Sequence, residues 1–103
     1  MRLIKRPRFL LDLAEELTWL NQKAGPDVAE RWYHSLLTTM DDLQRHPYLG
    51  RERRDLKPGG IRSWRMRDFP RWLIFYSVRA DGTLVLLRVR YGMMNLPRLR
   101  MKS

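Results

Sequence analysis

Between Ile61 and Gly92 the chain reads IRSWRMRDFPRWLIFYSVRADGTLVLLRVRYG, three extended segments that follow one another with hardly a connecting residue. In Ile61 to Arg67, Trp64 and Met66 fall on one face and Arg65 and Arg67 on the other, the period of two expected of a half-buried strand. Arg71 to Arg79 is rich in aromatic and β-branched residues (Trp72, Ile74, Phe75, Tyr76, Val78) and barely alternates, so it belongs in the middle of a sheet, apolar on both faces. Thr83 to Tyr91 puts Val85, Leu87 and Val89 on one face and Leu84, Leu86, Arg88 and Arg90 on the other. Asp81-Gly82 signals a two-residue hairpin between the last two strands, since a type I′ turn needs positive φ at both central positions.

One face of this sheet can be covered by whatever precedes it. The other then presents Leu73, Phe75, Leu84 and Leu86 beside Arg65, Arg67, Arg88 and Arg90, a patch that a monomer rarely leaves bare. It reads as a groove for a partner with an apolar stripe flanked by carboxylates. The plainer alternative is closure by the chain's own tail or by dimerisation.

The preceding half supplies the cover. Leu3 and Ile4 form a short strand at an edge of the sheet, and Pro7 sits where the first turn of a helix tolerates it. From Arg8 to Gln22, Phe9, Leu13, Leu17 and Leu20 recur at helical spacing, supported by Leu10 and Ala14, with Asp12, Glu15 and Glu16 opposite. Gly25-Pro26 ends that helix. A second runs from about Asp27 to Arg45, with Val28, Trp32, Leu36, Met40 and Leu43 on one stripe, so the two helices form an antiparallel hairpin across one sheet face. His34 and His46 read as solvated, and no third ligand makes them a metal pair. Pro47 to Gly60 is a long basic connection, either a solvated tether or a binding loop.

The predicted fold is therefore α+β, an N-terminal edge strand and an α-helical hairpin packed on an antiparallel sheet (β-α-α-β-β-β). A length of 103 residues makes it one domain over 1–103. Its parts are strand 1–5, helical hairpin 8–46, basic loop 47–60, three-stranded sheet 61–91 and tail 92–103.

Charge is segregated. Residues 1–50 hold seven Lys or Arg against seven Asp or Glu, whereas residues 51–103 hold fourteen against four, the whole net charge of +10. A basic surface on the sheet and tail side suits nucleic acid or an acidic protein. Seventeen of the 21 cations are Arg, whose planar fork favours bidentate contacts to carboxylate or phosphate. The absence of cysteine excludes disulfides, zinc–thiolate sites and thiol nucleophiles, and suits a reducing compartment. MRLIKRPRF leads into no apolar run, so neither a signal peptide nor a membrane span is expected, and the cytoplasm is the default location.

The usual catalytic constellations are missing: no Gly-rich phosphate loop follows a strand, and no serine has a plausible His and Asp partner. The acidic residues are expected mainly on helix surfaces, away from the basic sheet. Cleaving RNA needs one group to take the 2′-hydroxyl proton and another to protonate the leaving oxygen, and only Tyr91 or Lys57 could serve beside the arginines. No cofactor, metal or small-molecule substrate is implied.

The same order of elements carries particular words: Arg6-Pro7 before the first helix, D-L-x-E at Asp12 to Glu15, H-P-x-x-G-R at His46 to Arg51, G-x-R-S at Gly60 to Ser63, L-I-F-Y at Leu73 to Tyr76, and R-V-x-x-G-x-x-x-L-P at Arg88 to Pro97. Across nearly the whole chain this resembles the ParE branch of the RelE/ParE toxin superfamily, toxins of bacterial and plasmid toxin–antitoxin modules. The resemblance implies a cytoplasmic toxin held inactive by a small acidic antitoxin, and one of two activities: poisoning of DNA gyrase, as in ParE-like members, or cleavage of messenger RNA on the ribosome, as in RelE-like members. The fold is shared, so it does not decide between them.

The tail departs from the branch. Where members commonly read G-x-R-D-L, this chain has Gly92-Met93-Met94-Asn95-Leu96, and the common His before the glycine is Tyr91. Ribonuclease members place a catalytic Arg and then a Tyr around that turn, so the departure favours a gyrase-binding toxin without catalytic residues. The ribonuclease alternative would rest on Tyr91, Arg88, Arg67 and Lys57. Expected antitoxin contacts are Arg65, Arg67, Leu73, Phe75, Leu84, Leu86, Arg88 and Arg90. Expected target contacts are Tyr91, Met93, Met94, Asn95, Leu96, Pro97 and Arg98. A basic nucleic-acid-binding module without toxicity is the third reading.

Overall fold

The computed structural model describes residues 2–92, and the expected target contacts from Met93 to Arg98 lie outside them. The elements are β1 (Leu3–Lys5), α1 (Pro7–Lys23), α2 (Pro26–Arg45), β2 (Arg51–Glu52), β3 (Arg62–Met66), β4 (Phe69–Val78) and β5 (Leu84–Tyr91). They build an α-helical hairpin on one five-stranded sheet of order β1-β5-β4-β3-β2. Apart from β1, which runs parallel to β5, every pairing is antiparallel. The short edge strand β2, inside the 47–60 connection, has no alternating pattern in the sequence to announce it.

Pro7 and Pro26 each occupy the start of a helix, where their missing N–H has no partner to lose. Gly25 between them has φ +94°, and its N–H donates to the Leu20 carbonyl at 3.0 Å, which lets the chain reverse within two residues. The inward stripe of α2 is Ala29, Trp32, Leu36, Met40 and Leu43, all buried. With Phe9 and Leu20 of α1 they pack on Met66, Ile74, Tyr76, Leu84, Leu86 and Val89 of the sheet. Leu36 and Leu43 are fully buried, each stabilising the fold by about 1.5–3 kcal/mol. Leu10, expected to support this core, is 48% exposed.

Strand β5 overturns part of the expected partition. The turn is one residue longer than Asp81-Gly82 alone suggests: the Arg79 N–H donates to Thr83 O and the Gly82 N–H to Arg79 O, both at 2.9 Å, with Gly82 at φ +87°. A loop of Ala80, Asp81 and Gly82 slides β5 by one residue and flips its side chains. Leu84 and Leu86 therefore join Val78 and Tyr76 on the helix side, and Val85 and Leu87 turn to the far face. A bulge between the Tyr76–Leu86 and Phe75–Arg88 pairs absorbs the extra residue, which returns Val89 to the helix side opposite Ile74.

The far face is covered as well. Phe75, Val85 and Leu87 are buried together with Leu56 and Ile61, and Ile4 and Leu73 pack on them. Leu56 comes from the 47–60 connection, which is therefore part of the packed structure and no tether. Tyr76 fixes its start: the Gly50 N–H donates to the Tyr76 hydroxyl at 2.8 Å, and that hydroxyl donates to Pro47 O at 2.7 Å. Burial raises the Tyr76 pKa, keeping the phenol a donor. A Cβ on Gly50 would lie 2.5 Å from that hydroxyl, so only glycine fits.

Candidate partner-binding surfaces

The ladder from β1 to β5 ends at Leu86, and past that point α1 lies along the edge of β5. Asp12, 1% exposed, fills the gap. Its carboxylate accepts the Val89 N–H at 3.2 Å and two bonds from Arg88, Nε at 2.6 Å and Nη2 at 2.9 Å. Arg90 Nη1 stands 3.3 Å from both Asp12 and Glu15. A second carboxylate bond crosses to α2, where Arg67 Nη2 meets Asp42 at 2.9 Å. Acidic residues expected to face solvent thus anchor the helices to the sheet. Charged side chains default to the solvated side of a helix in any pattern reading, and only the partner brought opposite Asp12 reverses that default.

The structure places several of the expected antitoxin contacts elsewhere than on an open sheet face. Leu84 and Leu86 lie in the helix-side core, Phe75 is buried under the 47–60 connection, and Arg88 is 2% exposed beside Asp12. Arg67 leaves the far face for Asp42, and Arg90 is drawn to α1. Arg65 remains exposed and Leu73 half-buried on the far face. The residues considered for RNA cleavage are held apart in role. Arg88 and Arg67 are engaged by α1 and α2, Lys57 is exposed on the connection, and Tyr91 packs edge-on against Trp72 with centroids 5.0 Å apart.

Beside Tyr91 opens a surface that the sequence reading missed. A cleft of about 700 Å³ lies between α1 and the end of the β4–β5 ladder, lined by Glu15, Glu16, Trp19, Arg71, Trp72, Arg90 and Tyr91. The Trp72–Tyr91 register puts both rings on its floor, and Arg71 Nη1 is 3.4 Å from the Tyr91 hydroxyl. Trp72 Nε1 donates to Glu16 at 3.2 Å. Burial raises the Glu16 pKa despite that bond and the nearby Arg90 charge. Trp19 is 49% exposed and Leu11 47% exposed; with Glu15 they share one helix face at spacings of four. Pattern reading does contain this signal, because Leu11 and Trp19 fall off the inward stripe of Phe9, Leu13, Leu17 and Leu20.

On the far face, Arg53 is buried. It pairs with Asp55 at 2.7 and 2.9 Å, donates to Ser63 at 3.2 Å and lies over the Phe75 ring at 5.8 Å. The bond from Arg53 holds the Asp55 pKa down to about 2. His34 and His46 are exposed, as expected. Among the described residues no group of three or more His, Cys, Asp or Glu is placed to hold a metal, and no helix is long and apolar enough to cross a membrane.

Comparison with known proteins supplies the family. No curated protein matches the chain. Among solved structures it is similar to a chain of the "Chromosomal ParDE TA system from P. aeruginosa", at 18% identity and a TM-score of 0.72, covering 88% of this chain and 95% of that one. At that identity the likeness concerns the fold. A family model, "ParE toxin of type II toxin-antitoxin system, parDE", matches residues 3–96, from β1 through the last strand and beyond it. With nearly the whole sequence matched, the chain belongs to the ParE toxins of type II toxin–antitoxin systems.

Proposed function

We propose that the chain is a growth-arresting toxin, neutralised by a small acidic antitoxin and acting by binding and poisoning DNA gyrase. The observation that carries the choice of gyrase over messenger RNA is the engagement of the arginines. General acid–base cleavage needs groups free to meet a phosphodiester, whereas Asp12 grips Arg88 in a buried bidentate pair and Asp42 holds Arg67. The target contacts remain those implied by the resemblance, Tyr91 and Met93 to Arg98.

The antitoxin site moves from the far sheet face to the α1 cleft. An amphipathic acidic segment would place apolar side chains against Leu11, Trp19 and Trp72 and a carboxylate against Arg71, an exposed cation with no anionic partner among the described residues. Such a rim charge steers association and fixes register, while the apolar anchors govern the off-rate.

The test is induction of the chain with and without its antitoxin. Growth should stop in the first case and continue in the second. Purified toxin should make gyrase accumulate cleaved DNA or lose supercoiling, and should leave ribosome-bound messenger RNA intact. Codon-spaced cuts in that RNA would reverse the choice of target. Truncation after Gly92 should leave a folded chain that no longer arrests growth, and a folded truncation that still does would move the target contacts elsewhere.

A further inference from the structure

A second charged surface lies at the opposite edge of the sheet. From Tyr48 to Arg65 the chain has six cations and two carboxylates. Both carboxylates are used locally, Asp55 by Arg53 and Glu52 by Arg54 at 3.5 Å. Arg51, Lys57, Arg62 and Arg65 form no salt bridge among the described residues, although the Arg51 charge also acts on Asp55, and all but the half-buried Arg62 are exposed.

These cations are arranged, not scattered. Arg51 on β2 sits across from Ser63 on β3, and Arg65 follows two residues later, ~6.7 Å along the strand. A groove of about 340 Å³ runs there, lined by Arg51, Arg53, Arg65 and Trp64 among others. It shares Trp64 and Arg65 with a neighbouring hollow of about 620 Å³ whose lining also includes Arg67, Asp42 and Asp68. Two of the guanidinium groups lie over aromatic rings, Arg62 over Tyr48 and Arg65 over Trp64, each 4.9 Å from the centroid. Tyr48 is 67% exposed. Arg62 is braced further by a 2.7 Å bond from Nη1 to Gly50 O.

We propose that this β2–β3 edge binds the phosphate backbone of a nucleic acid, a ligand distinct from the antitoxin and independent of the α1 cleft. Arginines held over rings are pre-oriented cations that keep donors free for phosphate oxygens, and the exposed Tyr48 ring beside them offers a platform for a base. The groove's apolar lining is Leu49, Leu73, Pro70 and Trp64, and Arg65 already lies over the one large ring among them, which leaves an acidic protein little open anchor there.

The experiment is fluorescence anisotropy on the full-length chain, with a labelled mixed-sequence single strand and the corresponding duplex of about 30 nucleotides, over a salt series. Four phosphate contacts predict a log–log salt slope near −3.6 for the duplex and near −2.8 for the single strand, from roughly −0.9 and −0.7 per contact. Arg51→Gln, Lys57→Gln and Arg65→Gln combined should weaken binding at least tenfold and flatten the slope. The matched helix-side set Arg8→Gln, Lys23→Gln and Arg31→Gln should change it less than about threefold. Tyr48→Ala should weaken the single strand more than the duplex. Circular dichroism confirms that each variant is folded. Absence of binding, equal loss in both triple variants, or equally tight binding of polyglutamate would overturn the proposal.

Discussion

Replacing Asp12 by Asn removes one charge from the most enclosed ion pair among the described residues while keeping the side chain's shape. Asp12 and Arg88 side chains are 2% and 3% exposed, and the carboxylate also takes the Val89 N–H at the point where β5 loses its strand partner. Breaking a buried pair from one side costs about 3–5 kcal/mol, chiefly because the remaining charge stays desolvated. A domain of this size has about 5–15 kcal/mol in total, so Asp12→Asn should lose about a fifth of it or more and lower Tm by roughly 4–8 °C per kcal/mol. Urea unfolding followed by circular dichroism measures it, with m unchanged if the denatured state is unaffected. Asp41→Asn is the control, since the Asp41–Arg45 pair on α2 is 53% and 69% exposed and should matter by about 0.5 kcal/mol or less. The double variant Asp12→Leu with Arg88→Leu should cost well under the sum of its single changes. A loss below 1 kcal/mol for Asp12→Asn, or strict additivity in the double variant, would refute the reasoning.

Gly50→Ala should destabilise the fold by about 1–3 kcal/mol, because the new Cβ displaces the Tyr76 hydroxyl and leaves buried polar groups unpaired; a melting curve like the wild type's would contradict this. The raised pKa of Glu16 means that the folded chain holds its proton more tightly than the unfolded one, so this group's contribution to stability declines as pH rises through and above 4.5. Glu16→Gln should remove that decline, seen in unfolding midpoints across the pH range. Asp55 acts oppositely: with its pKa lowered from 3.8 to about 2, its contribution is present above 3.8 and lost on acidification through about 2. Asp55→Asn should therefore narrow the difference in midpoint between pH 5 and pH 2. Trp19→Ala, at a half-exposed position, should change stability by less than about 1 kcal/mol yet weaken the antitoxin complex at least tenfold, mainly through a faster off-rate. Unchanged affinity would remove the α1 cleft from the antitoxin interface.

What the sequence determined by itself was the order of the main elements, with the short edge strand β2 left out. The inward stripe of α2 repeats every three to four residues from Val28 to Leu43, Gly25-Pro26 punctuates the hairpin, and β4 is apolar on both faces, all local patterns read without knowing what they pack against. The tertiary structure alone decided which face each β5 side chain took. One additional loop residue at Ala80 inverts Leu84 to Leu87, and a bulge restores the register after it, because strand periodicity is two and a shift of one exchanges the faces. It also decided that Asp12 and Asp42 are tied to the sheet, since their partners lie 76 and 25 residues away and no helical period encodes a cross-chain ion pair. The cleft beside Trp19 follows from the same fact: α1 meets β5 through Asp12, and the space left above Trp72 and Tyr91 is set by where that buried pair holds the helix.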